Sequence, residues 1–112
     1  MAFALAPLWA VAVSAAEQLF ESRPVTPPGE YTFNIEGPAV DRAGNLYVVN
    51  FLKTGTIGML PAGAAASQLF TELPDGGVGN AIRFDRAGRM FVADWKRHNV
   101  FVVEAGQTKP SM

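Results

Sequence analysis

Two oxygen-bearing side chains stand at equivalent positions of an internal repeat. Glu36 lies five residues before Asp41, and Asn80 lies five residues before Asp85. Glu36 and Asn80 are 44 positions apart, as are Asp41 and Asp85. Carboxylate and amide oxygens are the ligands that calcium, magnesium and manganese prefer. If the fold brings the two positions together, Glu36 and Asn80 could contribute to a cation site. Alternatively, Glu36 is a solvated loop carboxylate and Asn80 a turn residue, because two side chains do not fill a shell of about 6–8 oxygens.

The elements that would position these side chains belong to the same repeat. Residues 40–50 read VDRAGNLYVVN and residues 84–94 read FDRAGRMFVAD. A period of roughly 40–50 residues built from short strands is typical of propeller blades, which are four-stranded sheets stacked around a central axis. The first strands of successive blades converge on that axis, so the sequence predicts an all-β fold of the β-propeller class. A piece of a β-sandwich is the alternative, because short strands do not specify a propeller uniquely.

Short β-prone runs divided by glycine, proline and aspartate turns predict the individual strands. In the first unit they are residues 39–40, 46–49, 56–60 and 68–73; in the second they are residues around 82–84, 90–93 and 100–103, with a fourth strand after Thr108. The predicted blades are therefore residues 36–78 and an incomplete second blade at 79–112. A ring of 4–8 blades needs about 180–350 residues. We expect either an N-terminal fragment of a longer protein or a ring assembled from several copies.

The segment before the first blade divides into two predicted parts. Residues 1–16 carry no charge and end in small residues, as a secretory signal does, although a positively charged start is missing. The sequence therefore predicts export to the periplasm or the extracellular space, with the end of a buried strand or helix as the alternative. Residues 17–35 contain a proline-rich linker and the triplet QLF at 18–20, which also occurs at 68–70 and suggests a strand that closes the ring.

Composition excludes several function classes. The chain of 112 residues has a formal net charge of −1 and no basic stripe, so we expect no nucleic-acid partner. It contains no cysteine, which excludes disulfides, thiolate nucleophiles and cysteine-ligated zinc. The apolar start is shorter than the roughly 20 residues of a membrane span, so no stable span is predicted.

Other polar side chains of the repeat are interpreted as structural. Asp41 and Asp85 occupy identical turns, where an aspartate bonds to its own backbone and closes a hairpin. Asn50 and Asp94 end equivalent strands and are predicted to stabilise the fold. They are not expected to react.

Three further features have structural explanations. His98 is the single histidine and lies in a polar loop, so neither a histidine metal site nor a catalytic triad is expected there. Residues 76–79 read GGVG but lack the Lys-Ser/Thr ending of a phosphate-binding loop. Phe51 and Trp95 follow equivalent strands and are predicted to pack between blades.

Residues 36–49 and 79–94, with EGPAVD, GNLYVV, GNAIRFD and GRMFVAD, resemble the family of gluconolactonase, the senescence marker protein regucalcin and luciferin-regenerating enzyme. The resemblance covers residues 31–104, about two blades of a six-bladed propeller. It implies that Glu36, directly before Gly-Pro, ligates a divalent cation, which would be calcium, with magnesium, manganese or zinc as alternatives. It also implies that Asn80 faces the substrate beside the cation. The remaining ligands of the family lie on later blades.

The same resemblance implies hydrolysis of a lactone or sugar-acid ester bond. The cation would polarise the ring carbonyl and stabilise the oxyanion while water attacks. The general base would come from outside this chain, which we expect to be inactive alone. A non-catalytic propeller with NHL-like repeats that binds a sugar, peptide or protein is the alternative function, and a strictosidine-synthase-like protein is a more distant third.

Overall fold

The computed structural model describes residues 20–112. The predicted signal segment at residues 1–16 lies outside the described residues. So do Gln18 and Leu19 of the predicted closing strand, while Phe20 lies in a turn. Residues 21–38 form turns, bends and irregular backbone, with one isolated β-bridge between Tyr31 and Phe51.

Two four-stranded antiparallel sheets make up the described chain, and each follows the order of its strands in the sequence. No α-helix occurs between residues 20 and 112; a 3-10 turn at Pro74–Gly76 joins the sheets. The predicted all-β class is confirmed, and every strand predicted between residues 39 and 103 is present. The strands of the first sheet are β1 (Ala39–Val40), β2 (Leu46–Val49), β3 (Thr56–Leu60) and β4 (Gln68–Glu72); those of the second are β5 (Gly79–Phe84), β6 (Met90–Asp94), β7 (Asn99–Val103) and β8 (Pro110–Ser111).

The first hairpin of each sheet is closed by the same turn. The backbone N–H of Asp41 donates to the carbonyl of Asn45 at 3.1 Å, and that of Asp85 donates to the carbonyl of Arg89 at 3.1 Å. The turn glycine Gly44 has a φ of 85°, a left-handed conformation that costs a residue with a Cβ about 1–2 kcal/mol. The recurring Asp-x-x-Gly sequence therefore sets the register of both hairpins.

A hydrophobic core lies between the two sheets. Tyr47, Val49 and Ile57 line the first sheet's side of this core, and Ile82 and Val92 belong to the second sheet's side. Burying such a side chain contributes about 1.5–3 kcal/mol. The core thus joins the sheets into one folded unit in which β5 packs on β1 and β2.

The inner strands differ in length for a reason visible in the sequence. Pro38 has no N–H and cannot donate to a strand ladder, so regular pairing of β1 begins only at Ala39. Ahead of it, the N–H of Val49 donates to the carbonyl of Glu36 at 3.4 Å. The chain around Glu36 therefore continues along β2 without forming a regular strand.

Within the described part of the chain, we find no helix with the length and apolar character that crossing a membrane requires.

Candidate functional site

The backbone positions of the two predicted site residues are adjacent. A Cβ placed on Gly37 would lie 2.7 Å from the carbonyl oxygen of Asn80 and 2.7 Å from the α-carbon of Ala81. The peptide that follows Glu36 thus touches the peptide that follows Asn80. Both predicted side chains are exposed. The structure therefore places the backbone segments that carry a carboxylate and a carboxamide side by side, next to the start of β1 and within β5.

Asn80 is the extra residue of a β-bulge. Gly79 pairs with Asp94 and Ala81 pairs with Ala93, so two steps along β5 match one step along β6. A bulged residue has no partner in the ladder, and bulges re-aim side chains beside functional sites. Asn80 can therefore present its carboxamide without contributing to strand pairing.

Equivalent polar residues hold the segments that lead to the two site residues. The Nδ2 atom of Asn50 donates to the carbonyl of Asn34 at 2.9 Å, two residues before Glu36. The Oδ1 atom of Asp94 accepts from the N–H of Val78 at 2.9 Å, two residues before Asn80. Asn50 and Asp94 are only 2% and 3% exposed. The prediction that they are structural is confirmed, and what they fix is the entry into each inner strand.

One oxygen of Asp94 remains without a hydrogen-bond partner among residues 20–112. Its Oδ1 atom also accepts from the N–H groups of Lys96 and Arg97 at 3.1 and 3.3 Å, whereas Oδ2 is buried and unpartnered. A Cβ on Gly77 would lie 2.9 Å from that oxygen. Glycine at this position therefore gives the buried carboxylate its space.

The segment before Glu36 docks on the outer side of the first sheet. The carboxylate of Glu30 accepts from the N–H of Ser67 at 3.1 Å, and the hydroxyl of Tyr31 donates to the Ser67 hydroxyl at 3.0 Å. The Tyr31 ring meets the Phe51 ring edge-on at 5.6 Å, over the space left by Gly58. These contacts fix the direction from which the chain enters β1.

Phe51 and Trp95, which were predicted to pack between blades, do not belong to the core between these two sheets. Phe51 is 6% exposed but packs on Tyr31, on the side of the first sheet away from the second, and Trp95 is 59% exposed. The difference has a local cause. The residue equivalent to Tyr31 in the second repeat is Asp75, which belongs to the 3-10 turn and supplies no ring to cover Trp95.

The predicted role of Asp41 in closing its hairpin is confirmed. Its carboxylate accepts from the N–H groups of Ala43 and Asn45 at 2.9 Å, from the Asn45 side chain at 2.9 Å and from the Tyr47 hydroxyl at 3.1 Å. Burial alone would raise the pKa of Asp41, but these hydrogen bonds outweigh it and hold the pKa below its ordinary value. Burial, the hydrogen bond to Asp41 and the charge of Asp41 raise the pKa of Tyr47 to about 12.

Asp85 closes the second hairpin with a different partner. Its Oδ2 accepts from the Arg89 Nε at 2.7 Å, and this hydrogen bond is the main reason that the pKa of Asp85 is lowered. Its Oδ1 accepts from the N–H groups of Ala87 and Arg89 at 2.9 Å. Both turn carboxylates therefore bind groups of their own hairpins, as predicted for a structural role.

The structure also places the remaining polar candidates of the sequence. His98 is exposed and adopts a φ of 59° in the loop between β6 and β7. The glycine-rich stretch at residues 76–79 leads into a strand, whereas a phosphate-binding loop leads into a helix. Across residues 20–112, no three histidine, aspartate or glutamate side chains cluster closely enough to hold a metal ion.

A cleft of about 430 Å³ opens at the other end of the inner strands, between the two hairpin turns. Tyr47, Phe70 and Phe84 give it aromatic walls, and Asp41 and Asp85 lie at its rim. The Tyr47 ring contacts Phe70 and Phe84 at centroid distances of 5.0 and 5.2 Å. No sequence pattern indicated this cleft, because it depends on how the sheets pack.

Comparison with protein-family models and with curated proteins finds no match to this chain.

The bulge at Asn80 was not predicted from the sequence. Nor were the hydrogen bonds of Asn50 to Asn34 and of Asp94 to Val78, which we call the two tethers. The tethers had a signal, since positions 34 and 50 recur as 78 and 94 at the same period of 44 residues. The bulge had none, because Asn80 lies in a run whose composition is ordinary for a strand. Only the pairing of β5 with β6 reveals the extra residue.

Proposed function

We propose that this chain forms two blades of a six-bladed propeller that hydrolyses a lactone of a sugar acid with the help of a divalent cation. The observation that carries the proposal is the contact of Gly37 with Asn80, which makes the Glu36 and Asn80 positions neighbours. The resemblance of residues 31–104 to the gluconolactonase and regucalcin family supplies the reaction class. The uncharged residues 1–16 support export as part of the proposal.

The two sheets support a propeller through the way they stack. Each is a four-stranded antiparallel sheet, and the inner strands β1 and β5 lie next to each other. Such stacking is the arrangement of successive propeller blades. Further sheets that continued it would bring more inner strands towards the same axis.

The donors at the site suit a hard cation in part. Glu36 offers a carboxylate and Asn80 a carboxamide oxygen, and both side chains are exposed. Calcium takes about 6–8 oxygen ligands, so these two residues would fill a minority of its shell. In the proposal, Glu36 is the cation ligand of this chain, and the other ligands come from further blades.

The residues of this chain have distinct tasks in the reaction. When bound, the cation supplies Lewis-acid polarisation of the lactone carbonyl. Glu36 would hold the cation through its carboxylate. The carboxamide of Asn80 can both donate and accept a hydrogen bond, so it orients the polar groups of the substrate. Asn50 and Asp94 position the two strands, and no general base is assigned within the described residues.

Binding of Ca²⁺ to the 112-residue chain, measured by isothermal titration calorimetry, tests the role of Glu36. We expect weak binding, with a dissociation constant on the order of 10⁻⁴–10⁻³ M, because the site is incomplete. Glu36→Gln should weaken it at least about tenfold by removing the charged ligand. Glu104→Gln, which changes an exposed carboxylate close to the cleft, is the matched control and should leave binding unchanged. Equal binding by Glu36→Gln and the unsubstituted chain would contradict the assignment.

The proposed hydrolytic activity requires the complete six-bladed propeller. In a full-length protein that contains these residues, Glu36→Ala should abolish calcium-dependent hydrolysis of glucono-1,5-lactone, followed by acid release at constant pH. The far-UV circular dichroism should not change, because Glu36 is exposed and contributes no side chain to the core. Unchanged turnover in this variant would rule out the lactonase mechanism.

The aromatic cleft favours a second candidate, a non-catalytic NHL-like propeller that binds a sugar or a peptide. Aromatic walls are suited to stacking on the apolar face of a sugar ring. Phe84→Ala would then abolish ligand binding, while Glu36→Gln would not affect it. The reverse pattern favours the lactonase.

A further inference from the structure

Each sheet has two faces, and the two sheets do not contribute equivalent faces to the core that they share. We call this arrangement head to tail. Tyr47 and Val49 of the first sheet lie in the shared core. Their counterparts 44 residues later are Phe91 and Ala93, but the core of the second sheet contains Met90 and Val92 instead. Because side chains alternate along a strand, Phe91 and Ala93 lie on the opposite side of the second sheet. The interface between the sheets is therefore heterologous.

The second sheet consequently has a free face, made by Ala81, Arg83, Phe91, Ala93, Val100 and Val102, with the guanidinium of Arg89 5.3 Å from the centre of the Phe91 ring. Val100 is 56% exposed, whereas its counterpart in the first sheet, Ile57, is completely buried. Both residues occupy the same place in the repeat, since Ile57 pairs with Val49 and Val100 pairs with Ala93. The face that the first sheet buries against its neighbour is thus exposed on the second.

The first sheet has a free face of the complementary kind, made by Val40, Leu46, Leu60 and Leu69. Val40 is 59% exposed and Leu69 is 55% exposed. The counterpart of Val40 in the second repeat is Phe84, whose ring lies 5.2 Å from that of Tyr47 in the core. The rings of Tyr31 and Phe51 cover only the part of this side around Gly58.

One molecule therefore carries both halves of an interface that it already forms internally. We propose that the chain associates head to tail with a second copy, the free face of the second sheet packing on the free face of the partner's first sheet. Phe91 then takes the place that Tyr47 has in the core, and the partner's Val40 takes the place of Phe84. Repetition of this contact gives a ring if the rotation closes and an open chain if it does not. The inference does not depend on the proposed enzymatic function.

Sedimentation velocity over a wide range of concentrations tests the proposal. The chain should associate as its concentration rises, and Val40→Lys and Val100→Lys should each weaken self-association at least about tenfold, because each places an unpaired charge in the contact. Both valines are more than half exposed, so the substitutions leave the monomer's core intact. Met112→Lys is the control, since Met112 is 78% exposed and belongs to neither face.

A mixture of the two lysine variants distinguishes head-to-tail association from face-to-face association. Each variant retains one intact face, so an equimolar mixture should form a one-to-one complex with the stability of a wild-type contact. A wild-type chain that remains monomeric at all concentrations would overturn the proposal. Failure of the mixture to associate would do the same.

Cross-linking provides a second measurement that does not depend on lysine. The chain contains no cysteine, so introduced thiols are the only ones present. Under mild oxidation, an equimolar mixture of Val40→Cys and Phe91→Cys should give the covalent heterodimer in well over the twofold excess over each homodimer that random pairing produces. Dimer yields in the random proportion would overturn the predicted contact.

Discussion

The carbonyl oxygen of Asn80 occupies space that a side chain at Gly37 would need, because a Cβ there would come within 2.7 Å of it. Gly37 also has a φ of 57°, which disfavours any other residue. The Glu-Gly-Pro sequence therefore allows β1 and β5 to approach each other at the candidate site.

Gly37→Ala should destabilise the fold more than a glycine substitution with the same backbone strain but open space. Gly63 is the control, since its φ is 76° and nothing would lie within 4 Å of a Cβ at that position. We expect a loss of about 1–2 kcal/mol for Gly63→Ala from strain alone. Gly37→Ala should lose at least about 1 kcal/mol more, because the backbone of β5 must move. Urea denaturation measures both, and equal losses would contradict the close approach.

Asn50→Ala should lower the free energy of unfolding by about 2–3 kcal/mol. The substitution removes the hydrogen bonds to Asn34 and Gly55 and leaves buried backbone groups without partners. Since Asn50 has a φ of 64°, Asn50→Gly separates the two effects by removing the bonds without the strain. A glycine variant as stable as the natural chain would show that the tether contributes nothing.

Stability should fall at alkaline pH through Tyr47. The folded state raises the pKa of Tyr47 to about 12, above the ordinary value of 10.0, so it keeps a proton that the unfolded chain loses. The contribution is complete below pH 10.0 and disappears as pH rises towards about 12. Denaturant titrations at a series of alkaline pH values should show a smaller slope for Tyr47→Phe. The remaining tyrosine slope then reports Tyr31, whose pKa burial also raises.

Ile82→Ala should cost about 2–5 kcal/mol, because this completely buried side chain fills the core between the sheets. Leu52→Ala, which truncates a side chain that is 65% exposed, should change stability by less than about 0.5 kcal/mol. Thermal unfolding compares the two. Similar melting temperatures would mean that the sheets do not depend on their shared core.

The local structure was predictable because it depends on contacts between residues that lie close together in the sequence. The turns at Asp41 and Asp85 use hydrogen bonds within four residues, so Asp-x-x-Gly between β-prone runs was sufficient to predict both hairpins. The alternation of apolar residues also located the strands, although β5 starts at Gly79, earlier than residue 82. Its early start follows from pairing with β6, which no local pattern contains.

The surroundings of the candidate site were less predictable, since they depend on contacts between distant segments. The repeat placed Glu36 and Asn80 at equivalent positions of the sequence, but it could not show which residues fix the backbone around them. It also suggested the same environment for Phe51 and Trp95, which differ because only Phe51 has Tyr31 beside it. Internal repetition predicts shared backbone geometry more reliably than shared side-chain surroundings.

The unpaired place of Asn80 in the β5–β6 ladder separates the binding role proposed for this residue from strand pairing. Its neighbours Gly79 and Ala81 keep the strands in register whatever side chain stands between them. A different polar residue at position 80 would therefore change the groups offered to a ligand, while the pairing of β5 with β6 is retained.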